Sequence, residues 1–232
     1  MTRILGLFAI VALFLPPAWG QTFEYAVRHR HLLKDCRGTL IFSHKGVEYR
    51  ASKSKDARMW EYDRIRVIEL RSPTEVSICS YEDQKRYLGK DRDFEFRLEN
   101  GRIPESLSAF LLSKVGRPMV LAVFPEEGKP VFEVPVKHLR TLTGSHGVLR
   151  IYPDRVIYKS EMEGDSRFWR LSDIERLSQP DRFRLQIVSH VPMTGGPTEV
   201  YNFQLLNDLP DQLYDYVWLR LHPSSYYPLV QR

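Results

Sequence analysis

The 232-residue chain predicts a mainly β protein made of two tandem copies of one unit, each with seven short antiparallel strands followed by an α-helix. Three observations carry that expectation. Sliding the sequence over itself by 109 aligns residues 22–94 with 131–203 without a gap and gives 16 identities in 73 pairs, where composition alone gives about 4 or 5. Within each copy the β-branched and aromatic runs are short and punctuated by turn residues. After each seventh run a proline introduces a change of period from two to three and four.

In the first copy the runs place strands at 23–31, 38–43, 46–52, 57–63, 65–70, 75–81 and 92–98. The second copy repeats them at 131–139, 147–152, 155–160, 166–171, 174–178, 182–190 and 198–206. Pro104 leads to Leu107, Phe110, Leu111 and Val115, and Pro210 leads to Leu213, Tyr216, Val217 and Leu221. Both sets sit at i, i+3, i+4 and i+8, one apolar stripe on a helix with proline harmless in its first turn. The helices match at an offset of 106, so three residues are expected to be missing from the loop before the second helix. Residues Met119–Phe124 and Val131–Val136, joined by PEEGK, read as a hairpin between the copies. The expected boundaries are 1–20 for a signal peptide, 21–118 and 131–221 for the two domains, 119–130 for the linker hairpin and 222–232 for a tail.

The signal-peptide expectation rests on Arg3, the apolar run from Ile4 to Leu15, and Ala18-Trp19-Gly20 with a small residue on each side of the tryptophan. The run is short of the roughly 20 residues that span a bilayer as a helix. The mature chain is therefore expected to start near Gln21 and to be exported, periplasmic or extracellular. In that setting Cys36 and Cys79 are allowed one disulfide. Two separate thiols fit the sequence equally well, and Ser145 and Val188 at the matching positions of the second copy make a bridge no requirement of the fold.

The formal charge is +5, with 20 Lys/Arg against 15 Asp/Glu in residues 21–118 and 13 against 14 in residues 119–232. A nucleic-acid binder carries a denser basic face, so no nucleic acid is expected as partner. An unidentified protein or peptide, or an anionic membrane surface, suits the basic first half.

The polar identities of the repeat are the candidate functional residues. Asp56, Arg58 and Trp60 recur as Asp165, Arg167 and Trp169, at i, i+2 and i+4 of a strand and so on one face. The tryptophans read as core, with each arginine lying on the ring and reaching the aspartate. An arginine facing ligand beside an aromatic shelf requires Arg58 or Arg167 to be exposed in a cleft. His29 recurs as His138. His29 and His31 share a face and would begin a metal site, but Arg140 replaces His31 in the second copy, so neither a metal nor a cofactor is expected. The chain has no G-x-S-x-G, H-E-x-x-H, C-x-x-C or Walker sequence, which favours a non-catalytic protein.

Seven short strands capped by one amphipathic helix resemble the pleckstrin-homology-like superfold, with bacterial members and GRAM domains as the nearest comparison. The resemblance implies two partly open barrels, each plugged by its helix, and binding of lipids, peptides or proteins. It points to basic residues around the loop between strands one and two, here Arg28, Arg30, Lys34 and Arg37. The second copy offers only Lys137, Arg140 and Arg150. The sequence thus suggests an exported, non-catalytic binding or scaffold module acting through those residues and, if exposed, Arg58 and Arg167. The alternatives are a carrier of an apolar small molecule and a hydrolase built on His29 or His138 with serine or aspartate neighbours.

Overall fold

A computed structural model describes residues 20–30, 35–52, 56–84, 87–140, 143–192 and 198–223, without the side chains of 87–89. The expected signal peptide before Gly20, His31, Lys34 and the tail beyond residue 223 lie outside the described residues.

Alternation of inward apolar and outward polar residues makes the strands. In β1 (Phe23–His29), Val27 and His29 are buried while Glu24 and Arg28 face solvent. The chain continues through β2 (Cys36–Ser43), β3 (Gly46–Ala51), β4 (Arg58–Trp60), β5 (Ile65–Ser72), β6 (Glu75–Gln84) and β7 (Tyr87–Leu98) to α1 (Glu105–Lys114). Next come β8 (Met119–Leu121), β9 (Phe132–Leu139), β10 (Gly144–Ile151), β11 (Arg155–Ser160), β12 (Arg167–Arg170), β13 (Ile174–Asp181), β14 (Arg184–Pro192), β15 (Thr198–Leu205) and α2 (Leu213–Leu221). The protein is mainly β, and the fifteen strands among the described residues join one large sheet in the order β13-β14-β15-β9-β10-β11-β12-β8-β5-β6-β7-β1-β2-β3-β4. Each half repeats the same internal order, and β8 lies between them.

Every expected strand and both helices have a counterpart. Two expectations fail. The segment 119–136 is not a hairpin: β8 runs parallel to β5, with Met119, Val120 and Leu121 opposite Ile68, Glu69 and Leu70, and it meets β12 at Leu121 opposite Phe168. The gapless match also breaks before the seventh strand. Val76 faces Phe96 where Leu185 faces Phe203, so the offset of 109 on one strand becomes 107 on the next. The counterpart of Phe203 is Phe96, and Phe94 matches Tyr201. Two of the three lost residues leave the connection between the sixth and seventh strands, and only one leaves the loop before the helix.

Each half has its own core. Leu107, Phe110 and Leu111 of α1 are buried on the first, Leu213 and Val217 of α2 on the second. Trp60 packs edge-on to Phe94 and Trp169 edge-on to Tyr201, both at 4.8 Å between ring centres. A 3-10 turn follows each tryptophan, Tyr62–Arg64 and Leu171–Asp173, and delivers Ile65 or Ile174 buried into the next strand. That turn accounts for the isoleucine five residues after the tryptophan in both copies. Gly38 and Gly147 recur because a Cβ there would lie 2.6 Å from the Tyr49 ring and 2.8 Å from that of Tyr158, so the tyrosine can cross its neighbouring strand only over glycine.

The two cores are fused through one side of the second half. Tyr152, Ile157 and Phe168 pack into the core of the first half with Met119, Leu121 and Phe124, while Trp169 and Tyr158 turn the other way. At the positions matching Tyr152, Ile157 and Phe168 the first half has Ser43, Glu48 and Met59, the last 50% exposed. Arg170 fastens the joint by donating to the carbonyls of Val115 and Arg117, each at 2.7 Å, while paired with Asp173 at 2.9 Å.

Leu121 is 1% exposed at the centre of this joint, so Leu121→Ala is expected to cost about 3 kcal/mol. Thermal unfolding followed by tryptophan fluorescence and by far-UV circular dichroism should shift together as one transition. Two separated transitions would show that the halves unfold independently.

Candidate functional site

The recurring histidine, aspartate and tyrosine converge on one buried spot in the second half. β9 turns His138 inward, Ser145 of β10 lies directly opposite it, Tyr158 of β11 reaches over from the next strand, and the turn before β12 brings Asp165. Asp165 is the hub, with a side chain 1% exposed. His138 Nδ1 lies 3.1 Å from Oδ2, Ser145 Oγ donates to the same oxygen, and Arg140 donates to Oδ1 at 3.3 Å. Tyr158 completes the set, its hydroxyl 2.7 Å from Ser145 Oγ and 2.8 Å from the Ser145 carbonyl oxygen. Burial works to raise the Asp165 pKa, but the hydrogen bonds from His138 and Ser145 and the nearby cations outweigh it and hold the carboxyl below its usual range. Burial raises the Tyr158 and Tyr201 hydroxyls.

The connectivity bears on the hydrolase alternative. A nucleophilic serine needs its base on its own hydroxyl. Here Ser145 donates to the aspartate, and the histidine is directed to that same carboxylate oxygen and not to the serine hydroxyl. The set is a carboxylate hub between two donors, and it lies wholly inside the second half.

The first half repeats the histidine and tyrosine of this cluster, while Asp56, at the place of Asp165, is only half-buried. Cys36 stands in the place of Ser145, 3.1 Å from the Tyr49 hydroxyl and 3.7 Å from His29 Nδ1. His29 stacks on Phe96 at 4.8 Å, as His138 lies at 5.1 Å from Phe203. The disulfide that the sequence allows between Cys36 and Cys79 is not made. Cys79 packs instead against Val67, Val120 and Val191, and burial followed by the Asp93 carboxylate pushes its thiol up to about 12. Among the described residues no group of three His, Cys, Asp or Glu is placed to hold a metal ion, and no helix is long and apolar enough to cross a membrane.

The predicted basic residues come together in part. Arg28, Arg30 and Arg37 line one groove of about 610 Å³ on the outer face of β7, β1 and β2, with Asp35 and Glu99. Arg97, which the sequence reading passed over, joins them. Arg28 is paired across β1 and β2 with Arg37 and across β1 and β7 with Arg97, so three arginines stand abreast on three adjacent strands. Like charges directly opposite are destabilising. Glu99 offsets part of that cost, taking Arg37 Nε at 2.9 Å and Arg28 at 3.3 Å, while Arg30 lies 3.7 Å from Glu95. The second half has Lys137, His146 and Gln204 in the same register. The signal for Arg97 was the outward alternation Glu95-x-Arg97-x-Glu99, readable only once β7 is known to lie beside β1.

Arg58 and Arg167 do not line this groove, and the Arg167 charge acts on Asp165 from nearby. Arg58 donates to the Ala57 carbonyl at 2.7 Å and lies 3.5 Å from Glu82, which also accepts from Trp60 Nε1 at 2.9 Å. Arg167 donates to the carbonyls of Gly164 and Ser166 at 2.9 and 2.7 Å. With Arg140, Arg184, Glu199 and Tyr201 it lines an open cleft of about 830 Å³ in the second half.

No family model matches the chain, and no curated relative does. Solved structures match weakly. The C-terminal domain of an unknown protein from Leishmania infantum has a TM-score of 0.29 at 12% identity, covering 41% of this chain and 82% of that one. A structure of human RhoA with the DH/PH fragment of PDZRHOGEF gives 0.32 at 12% identity, covering 41% and 29%. The Spt16D–Pob3N heterodimer gives 0.29 at 8% identity, covering 74% and 85%. Likeness at this level carries no argument about what the chain does.

Asp165→Asn is expected to lower stability by about 2 kcal/mol at pH 7, roughly 5 °C in melting temperature. Because the folded-state pKa is depressed, this stabilisation is full above the unfolded value of about 3.9 and is lost as pH falls through the lower folded value. The gap between wild type and variant should therefore close below about pH 4 in melts followed by circular dichroism, and a gap unchanged down to pH 2 would contradict the assignment. For the thiols, titration of native protein with an aromatic disulfide reagent at pH 8 should release one equivalent promptly, from Cys36, and the second, from Cys79, only on denaturation. Equal rates would contradict it.

Proposed function

We propose that the chain is a non-catalytic binding module, exported from the cell that makes it, whose halves are two pleckstrin-homology-like barrels and whose first half holds an anionic partner. The observation that carries this reading is the row of Arg37, Arg28 and Arg97 across three adjacent strands. A protein gains nothing in folding stability from abutting three guanidinium groups on an open sheet face. Such an arrangement suits a surface whose work is to meet negative charge.

The duplication supports the same reading. The ring contacts recur in both halves, as scaffolding does, while the row of three arginines stands in one half alone. The binding duty is accordingly assigned to the first half, and the second half serves as its support. The Asp165-centred wiring of His138 and Ser145 favours binding over hydrolysis, since the histidine is spent on the carboxylate.

The reading is tested by retention on an immobilised polyglutamate column and by co-sedimentation with vesicles containing anionic phospholipid. Wild-type protein is expected to bind an anionic support and to elute earlier as salt rises from about 50 to 500 mM, as the screening length shrinks. The double substitution R28E/R37E should abolish retention with its melting temperature kept within a few degrees. Retention that is unchanged in that variant would overturn the assignment of the groove.

A further inference from the structure

The groove has a repeat built into it, and the repeat restricts what fits. Arg28 of β1 and Arg30, the first residue beyond it and still bonded through its N–H to the Glu95 carbonyl at 2.9 Å, are i and i+2 of an extended chain and share a face, so they recur at about 6.6–6.8 Å. Arg37 and Arg97 flank Arg28 at the spacing of neighbouring strands, about 4.8 Å on either side. The site is thus a short line of positive charge parallel to β1, widened at one end by two further guanidinium groups.

The fold also contains its own example of what such a line accepts. Glu99 places one carboxylate between Arg28 and Arg37, at 3.3 and 2.9 Å. Four residues earlier on the outward face of β7, Glu95 lies 3.7 Å from Arg30 and 2.9 Å from Arg71. These acids stand four residues apart with Arg97 between them on the same outward face, and their side chains are 26% (Glu99) and 42% (Glu95) exposed. Among the described residues no carboxylate lies within ion-pair distance of Arg97. Carboxylates borne on an extended backbone already pair with these arginines, and one arginine of the row is left to be met from outside.

We propose that the groove accepts an extended acidic peptide segment whose carboxylates recur at every second residue, laid along β1 over the outer face of the sheet. An extended peptide repeats its same-face side chains at about 6.6–6.8 Å, the repeat of Arg28 and Arg30. Two facing layers of extended chain lie about 10 Å apart, a gap that an arginine and a glutamate span together. Glu99 competes for the same guanidinium groups, so it tempers the affinity. This inference rests on the binding-module reading and adds the chemistry and spacing of the partner.

The test is calorimetric titration of the full chain with two synthetic peptides of equal glutamate number, one repeating Glu-Thr and one repeating Glu-Thr-Thr, alongside inositol hexakisphosphate. The alternating peptide is expected to bind about ten-fold more tightly than the every-third peptide. Arg28→Gln should weaken it about ten-fold, and Glu99→Gln should tighten it several-fold, a gain that a misfolded variant does not give. Equal affinity for both peptides overturns the spacing and leaves the binding module standing. Binding of the hexakisphosphate through Arg28 with neither peptide bound overturns the peptide and assigns the groove to phosphate. If no probe binds, the groove itself fails as a site and the proposed function falls with it.

Discussion

The three-residue strand β8 is the constraint on which the rest of the molecule depends. Without it β5 and β12 would each end a seven-stranded sheet with a row of unpaired backbone groups, the arrangement that invites association with other chains. β8 satisfies both at once, parallel on one side and antiparallel on the other. Its two faces are also both covered. Met119 and Leu121 enter the core of the first half, and Val120 meets Val67 and Val191, one from each half. A strand buried on both faces reads as an unbroken apolar run, and Met-Val-Leu is one. The two halves are therefore fixed to one another by backbone ladder and by core, and neither the groove nor the cleft depends on a mobile joint.

The duplication separates residues that build from residues that act. Inside, the tyrosine over its glycine, the histidine against its phenylalanine and the tryptophan edge-on to the next ring occur in both halves at matching distances. Even the exchange of Ser145 for Cys36 keeps the contact to the tyrosine hydroxyl. Outside, the same strand positions carry arginine in one half and lysine, histidine or glutamine in the other. Interior contacts are coupled through close packing, so a change at one is felt by several. Outward positions are free to diverge, and what they diverge toward is informative.

Much of this was legible in the sequence, and the limits have a physical cause. A hydrophobic pattern of period two reports which face a residue takes, not which strand lies beside it. A two-residue slip moves no side chain to the other face, so the shift from 109 to 107 between β6 and β7 left the pattern intact and Phe94 was matched to the wrong ring. The same blindness hid Arg97, whose partner strand follows only from topology. The joint between halves did leave a trace. Glu48 and Met59 are replaced by Ile157 and Phe168, an outward face turned apolar in one copy only, and such one-sided replacement within a repeat marks the surface on which the copies meet.

The buried hub shows why residue types alone mislead about chemistry. Histidine, aspartate and serine within one pocket invite comparison with a hydrolytic triad, but catalysis depends on the order of contacts. A base can activate only the hydroxyl it touches. With the carboxylate in the middle, the serine proton is directed to Oδ2 of a carboxyl held below its usual pKa, an oxygen that His138 also meets while Arg140 donates to Oδ1. Tyr158 closes the other side. Each polar group is thereby spent on another, which is what burial demands of them, and the strands that carry them are pinned at the end of the ladder. In the first half that same end lies beneath Arg28, Arg30 and Arg37, because Cys36 and His29 alternate with them along β2 and β1. The inward histidine and thiol thus set the position of the outward arginines, and the interior of the fold reaches its exposed face through the period of the strand.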